Sequence, residues 1–217
     1  MWYTLGMKRT YIIIAICIII LGGLWYFKKG KTQITNSTTG TYRNARVGVG
    51  FTYPKILSVN TTDDVVTLHH DIPYLNTGAC DMMGDTKTYE RLTDFNVTIR
   101  IIQKNLTDTV RTLSPYIPQE NFINDELVAS PGFIETFKIG KLSGFAIYEG
   151  AEGCGQTTYY FSVGATETLV VNQASIQALS TAIVKEARDK VLAVPGVISP
   201  SKSESIFNDI LKSLSIQ

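Results

Sequence analysis

The chain has 217 residues, with 20 Lys and Arg against 19 Asp and Glu. Its hydrophobic share of 44% supplies a packed core and is too high for a disordered chain. Residues 1–31 hold Lys8, Arg9, Lys28, Lys29 and Lys31 and no acid, which leaves 15 basic against 19 acidic residues, a net of −4, in the rest; a mildly acidic domain without a basic cluster excludes nucleic acid as its expected partner.

Residues 11–27, from Tyr11 to Phe27, carry no charge and are flanked by Lys8-Arg9 and Lys28-Lys29. At a rise of 1.5 Å per residue, roughly 17–18 helical residues span about 26 Å, the short end of what a hydrocarbon core requires. The pattern predicts one transmembrane helix over 10–27, with Trp25, Tyr26 and Phe27 in the interfacial belt. A cleaved signal peptide needs a small-x-small site after the apolar run, and Trp25-Tyr26-Phe27-Lys28-Lys29 offers none. Cys17 sits among isoleucines inside the span, unlike an acylated lipoprotein cysteine. The expectation is an uncleaved, single-pass signal anchor in the cell membrane.

Flanking charges nearly balance, so the positive-inside rule alone does not orient the span. A short N-terminus before a long polar domain places residues 1–9 in the cytoplasm and the rest outside. Residues 28–41 are small and polar with no apolar period from Thr32 onward, and read as a linker. The extracytoplasmic domain is expected over 42–217.

Strand patterns then dominate. Val47–Pro54 is a β-rich run closed by proline. Ile56–Asn60 and Val65–His70 flank a Thr-Thr-Asp-Asp turn. Asp94–Gln103 alternates, with Phe95, Val97, Ile99 and Ile101 on one face and Asn96, Thr98 and Arg100 on the other. Phe133–Ile139, Lys141–Glu149, Thr157–Val163 and Thr166–Asn172 complete the strands, with hairpin connections at 150–155 and 164–165.

The period changes afterwards. Ile176, Leu179, Ile183 and Ala187 share a helical face before Pro195-Gly196. Ser201 and Glu204 form a capping box ahead of Ile206, Phe207, Ile210, Leu211 and Leu214 at helical spacing. Strands first and helices last predict an α+β fold, an antiparallel sheet of five to seven strands with packed helices and the 201–215 helix on one face.

Tyr42-Arg43-Asn44 followed by Gly50-Phe51-Thr52-Tyr53-Pro54 resembles the opening motif of PsbP-like domains, with Val49 where an aromatic residue is usual. Ile206-Phe207-Asn208-Asp209-Ile210-Leu211 resembles their last helix. The resemblance covers the two ends of the domain. It implies an α/β/α sandwich around an antiparallel sheet, in a family that includes small anchored extracytoplasmic bacterial proteins, and it implies no reaction.

Few residues carry candidate chemistry. Cys80 and Cys154 are the only cysteines beyond the span, and an even pair outside the cytoplasm favours a disulfide; separate thiols and metal ligation are the alternatives. Asp81, Glu149 and Glu152 nearby oppose a reactive thiolate. His69 and His70 are the only histidines, and with Asp71 or Cys80 they are the candidate metal ligands. Consecutive strand residues point to opposite faces, however, so one histidine is expected exposed and the other packed.

Other motifs read as structure. Gly48-Val49-Gly50 and Gly150, Gly153 and Gly155 open no helix and precede no Lys-Ser/Thr, so they read as turns rather than phosphate loops. Asp81, Asp85 and Asp94 lack calcium-loop spacing and read as solvated carboxylates. Asn36, Asn60, Asn96 and Asn105 open sequons that matter only in a secretory pathway. Thr157–Phe161 reads as one core face and one solvent face. No Gly-x-Ser-x-Gly elbow is present, and no catalytic residue and no cofactor are expected. Whether the chain is an enzyme stays open.

The functional expectation is a non-enzymatic interaction or scaffold module that binds an envelope protein or cell-surface partner. The alternative is a metal-binding or metal-dependent envelope protein using His69 and His70.

Overall fold

The computed structural model describes residues 38–78, 80 and 87–217. The expected N-terminus (1–9), span (10–27), linker up to residue 37, Asn36, Asp81 and Asp85 lie outside the described residues. Among the described residues no helix is long and apolar enough to cross a membrane.

Among the described residues, twelve strands and three helices follow along the chain. β1 (Thr39–Asn44) and β2 (Val49–Pro54) form a hairpin, and β3 (Ser58–Thr62) and β4 (Val65–Ile72) a second. The long β5 (Leu92–Ile102) leads into α1 (Leu106–Leu113) and the miniature hairpin of β6 (Phe122–Ile123) and β7 (Glu126–Leu127). Then come β8 (Ile134–Ile139), β9 (Leu142–Glu149), β10 (Gln156–Ser162) and β11 (Thr168–Ala174). The C-terminal part holds α2 (Lys185–Leu192), α3 (Pro200–Ser213) and the short β12 (Ser215–Ile216).

Seven strands make one antiparallel sheet in the order β3-β4-β5-β11-β10-β9-β8, and β1-β2-β12 make a small second sheet. The fold is α+β with helices packed on an antiparallel sheet, as expected. After β5 the chain leaves the sheet and returns at the far edge as β8, working back through β9 and β10 until β11 pairs with β5, and α1 lies in that excursion.

Opposed residues share a face, so register assigns each face. Val66, Leu68, Phe95, Val97, Ile99, Phe161, Leu169 and Val171 point to one face. There they pack with Val49 and Phe51 of β2 and Ile206, Phe207, Ile210 and Leu211 of α3. At roughly 1.5–3 kcal/mol per large apolar side chain, those four helical residues are a principal source of stability. The other face is apolar only towards β8 and β9, where Ile134, Ile147, Tyr160 and Val170 pack with Val110 of α1, Ile117 and Leu127. Tyr160 is therefore buried, and Thr157–Phe161 has a core on both sides rather than one.

Several boundaries differ for physical reasons. Thr39–Thr41 belong to β1 rather than to the linker, because Gly40 and Thr41 pair with Tyr53 and Thr52. Thr61 and Thr62 extend β3, and the turn contracts to Asp63-Asp64, both at positive φ as a two-residue hairpin of the primed type requires. The helix expected over Ile176–Ala187 is instead a single 3-10 turn, Gln177–Leu179, followed by α2. Leu179 and Val191 reach a third cluster with Ile72 and Leu92 from different elements. The last helix starts earlier than its capping box suggested. Ser199 is the N-cap and Pro200 the first helical residue, where a missing N–H costs nothing. α1 went unread: Asn105, seen as a sequon, is its N-cap and accepts from the Asp108 amide at 2.8 Å.

Candidate functional site

His69 and His70 leave β4 on opposite faces, His69 opposite Asn96 and His70 opposite Phe95. The His69 Nε2 lies 3.9 Å from Asp71 Oδ2, while Asp71 Oδ1 accepts from the Thr93 hydroxyl at 2.6 Å. Among the described residues no three His, Cys, Asp or Glu side chains gather into a metal-ligating group. Cys80, once a possible third ligand, has its sulfur committed to a disulfide.

His70 is held from behind. The ladder slips between His70 and Asp71, and Asp94 is the extra residue in β5. The slip turns the Asp94 side chain inward, where it is fully buried, so the expectation of a solvated carboxylate is corrected. Its Oδ1 stands 2.6 Å from His70 Nδ1, and its Oδ2 accepts from the Ile198 backbone amide at 2.6 Å. An ionised carboxylate only accepts, so Nδ1 carries the proton. Asp94 thus ties the central sheet to the residue before the α3 N-cap. It also lines a cavity of about 370 Å³ with Tyr159, Gln173, Ser203 and Glu204.

Cys80 and Cys154 are joined in a disulfide with 5.5 Å between Cα atoms. The bridge fastens the loop closed by the Asn76–Tyr89 backbone pair to the β9–β10 hairpin. Gly150 and Gly155 pinch that hairpin: a Cβ on Gly155 would stand 1.9 Å from the Glu149 carbonyl oxygen, and φ is positive at both. Neither cysteine is in a strand. Reduction, or Cys154→Ser, is expected to cost about 2–4 kcal/mol while the sheet persists. Denaturant midpoints with and without reductant, beside non-reducing peptide mapping, check this. Unchanged midpoints, or two freely alkylated thiols, contradict it.

The best-formed polar site lies on the second face. Asn60, Thr67, Thr98, Asn172 and Thr158 stand side by side across five strands. At about 4.8 Å per strand this row of amides and hydroxyls runs about 19 Å. Thr67, Thr98 and Asn172 are half-buried and Asn60 is exposed; none belongs to an apolar cluster. One end of the row opens into a cavity of about 220 Å³ lined by Arg100, Thr98, Asn172, Thr158, Tyr160 and Glu149 among others.

Glu149 in that cavity already accepts three hydrogen bonds. Its Oε1 accepts from the Ser114 hydroxyl at 2.9 Å and from the Tyr116 hydroxyl, and its Oε2 accepts from Gln156 Nε2 at 3.1 Å. Ser114 has one proton, given to Glu149, so Tyr160 is the donor in the 2.8 Å Tyr160–Ser114 bond. Arg100, by contrast, makes no hydrogen bond or ion pair with any described residue, while its charge acts on Tyr160. The sequence had placed Asn96, Thr98 and Arg100 on one face, but nothing in it marked Arg100 as unpaired.

Burial, and then Glu149, pushes the Tyr116 phenol well above the usual tyrosine range. Burial also raises Tyr160, and burial followed by Glu204 raises Tyr159. Each is harder to ionise folded than unfolded. The stability they lend is complete below about pH 10, the unfolded value, and is lost as pH rises beyond it. Melting temperature is expected to fall steeply above about pH 10, with the phenolate absorbance of these three tyrosines appearing together with unfolding. Glu149→Gln should bring the Tyr116 titration down. Full phenolate absorbance near pH 10 without unfolding contradicts the prediction.

No known family matches the sequence, and no curated protein does. Solved structures similar to the chain include a crystal structure from Bacteroides thetaiotaomicron. It is 11% identical over 83% of this chain and 48% of that one, with a TM-score of 0.40, so this chain spans about half its length. They also include the solution structure of cyanobacterial PsbP (CyanoP) from Synechocystis, 11% identical over 87% of this chain and 98% of that one, with a TM-score of 0.40. The second carries the family name that the motifs at 42–54 and 206–211 resemble.

Proposed function

We propose that this chain is a single-pass, membrane-anchored module whose folded domain lies outside the cytoplasm and binds a partner without chemistry of its own. Residues 10–27 are the anchor in this reading, and residues 1–9 stay inside. The observation that carries the binding role is the polar half of the second sheet face. It is a row of hydroxyls and amides across five strands, exposed at Asn60 and buried at Thr158, ending in a cavity whose arginine has no partner among the described residues. Polar side chains in the middle of a sheet face add little apolar burial, which supports a role in recognition. The Cys80–Cys154 bridge suits an oxidising compartment, as the placement requires.

Catalysis draws less support. Asp94 and His70 are bonded to each other, and Asp94 is occupied on both oxygens. Metal binding through His69 and His70 would require side chains on opposite faces to converge. Elemental analysis of the purified chain decides that alternative: stoichiometric metal lost in His69→Ala or His70→Ala would favour it.

Carbonate extraction of membranes should leave the intact chain in the pellet, and protease added to spheroplasts should reach the domain. Cross-linking in intact cells followed by affinity capture should bring down an envelope partner. Capture should weaken when Thr67 and Thr98 are both changed to Lys, since long charged chains would crowd the row without disturbing the core. A soluble chain, a protected domain, or capture indifferent to the double variant would each contradict the proposal.

A further inference from the structure

We infer that the cavity at the end of the polar row is a monocarboxylate-binding site, with Arg100 as the residue that recognises the anion. The inference rests on the binding-module reading above and deepens it. Arg100 lies in β5, paired with Val170 of β11 and one residue beyond Ile99, the last residue of the ladder with β4, so the strand that carries it is held in register. A half-buried guanidinium has lost part of its hydration, and its five N–H donors are normally satisfied by a carbonyl, a carboxylate or water. Here no described side chain or backbone oxygen accepts from it.

The acid that shares the cavity does not serve. Glu149 is on β9, three strands from β5 and four residues further along the ladder, since it aligns with Ala174 while Arg100 aligns with Val170; that is about 20 Å at backbone level, and Ser114, Tyr116 and Gln156 donate to it instead. The cavity therefore has a cationic wall at Arg100 and an anionic wall whose acceptor capacity is largely taken. Between them the Thr98 and Thr158 hydroxyls and the Asn172 amide supply further hydrogen-bonding groups.

Three features select the ligand class. A guanidinium presents two parallel N–H groups that match the two oxygens of a carboxylate. One arginine and one glutamate on opposite walls give the cavity a near-zero net charge, which favours a monoanion over a dianion such as phosphate. At about 30 Å³ per water, 220 Å³ is roughly seven waters, the size of an amino-acid residue rather than a nucleotide. A free small acid and the carboxylate of a peptide share this chemistry.

The test uses the full chain in detergent micelles. N-acetylglycine stands for the free acid, a blocked tetrapeptide with a free C-terminal carboxylate for the peptide, the same tetrapeptide as its C-terminal amide for the uncharged control, and inorganic phosphate for the dianion. Calorimetry is expected to show saturable binding of at least one carboxylate probe at about 1 mM or tighter. The amide should not bind, and phosphate should bind more weakly. Saturation by N-acetylglycine identifies a free acid, and saturation by the peptide acid alone identifies a peptide source; either supports the inference. Arg100→Gln should weaken binding at least about tenfold, and Arg100→Lys by less, since charge is kept and the fork is lost. Because Arg100 has no partner among the described residues to strand, Arg100→Gln should leave the melting temperature of the unliganded chain unchanged or raised, which a structural role would not allow. No saturable carboxylate binding, equal binding in Arg100→Gln, or tighter binding of phosphate overturns the inference. Partner capture after cross-linking that survives Arg100→Gln, with no carboxylate bound by either chain, would remove this site and leave the module reading standing.

Discussion

Phe207→Asp is expected to unfold the domain. Phe207 is 2% exposed, and its ring lies 4.9 Å from that of Tyr159 in the cluster that joins α3 to the sheet. Removing the ring alone, as in Phe207→Ala, costs about 3–5 kcal/mol through lost transfer and the cavity left behind. An aspartate adds a carboxylate within the apolar cluster to which Val171, Ile206, Ile210 and Leu211 belong, where desolvation of a charge costs several kcal/mol more. Domains of this size hold about 5–15 kcal/mol in total, so the sum consumes most or all of it. Circular dichroism and limited proteolysis of the full chain check the outcome. Phe207→Leu keeps an apolar side chain of similar size and should cost under about 1.5 kcal/mol. A cooperative melt of Phe207→Asp within a few degrees of the parent would mean that α3 does not hold the core.

The same helix illustrates what sequence makes legible. Ile206, Phe207, Ile210 and Leu211 recur at the helical period on one side only, and a one-sided helix needs a surface to cover. The alternation of β5 is equally direct: Phe95, Val97 and Ile99 fall on the covered face and Asn96, Thr98 and Arg100 on the other. Where local signals compete, reading fails. Asn105-Leu106-Thr107 is both a sequon and the start of a helix whose Leu106, Val110 and Leu113 repeat at three- and four-residue steps over barely two turns. Ile176 and Leu179 sit at helical spacing from Ile183, yet β11 runs to Ala174 and a 3-10 turn intervenes, so the shared period was coincidental.

The candidate site was less visible than the fold, because it depends on which strands are neighbours. Thr98, Asn172 and Thr158 lie far apart in the chain and meet only because β11 inserts between β5 and β10. Arg100 and Glu149 face one cavity through the same pairing, and whether each is partnered is a property of three-dimensional contacts. The disulfide was legible for a different reason: with two cysteines beyond the apolar run, counting leaves one intramolecular pairing. Asp94 shows the opposite case. A carboxylate at the start of a strand reads as solvent-facing, and only a one-residue slip opposite His70 and Asp71 carries it inward.

Asp94→Ala is therefore expected to be among the most damaging single changes in the domain, though alanine is small and adds no charge. The fully buried carboxylate accepts from two groups brought together from distant parts of the chain, His70 Nδ1 and the Ile198 amide, each at 2.6 Å. Truncation leaves the buried Ile198 amide and the partly buried His70 N–H without acceptors, at about 1–3 kcal/mol each with the lower end for His70, and opens a small cavity beside Ile198. The expected loss is about 3–5 kcal/mol, and it should appear first as fraying of α3, whose N-cap Ser199 follows Ile198 directly. Asp94→Asn separates hydrogen bonding from charge. Its amide oxygen can still accept from Ile198, and its Nδ2 can donate to His70 if the imidazole proton moves to Nε2, so the loss should shrink to about 1–2 kcal/mol. Denaturant unfolding of both variants, with hydrogen exchange at residues 198–203, measures the order. Alanine and asparagine variants of equal stability, or intact protection at the α3 N-terminus in Asp94→Ala, would show that the carboxylate fills space rather than tying the helix to the sheet.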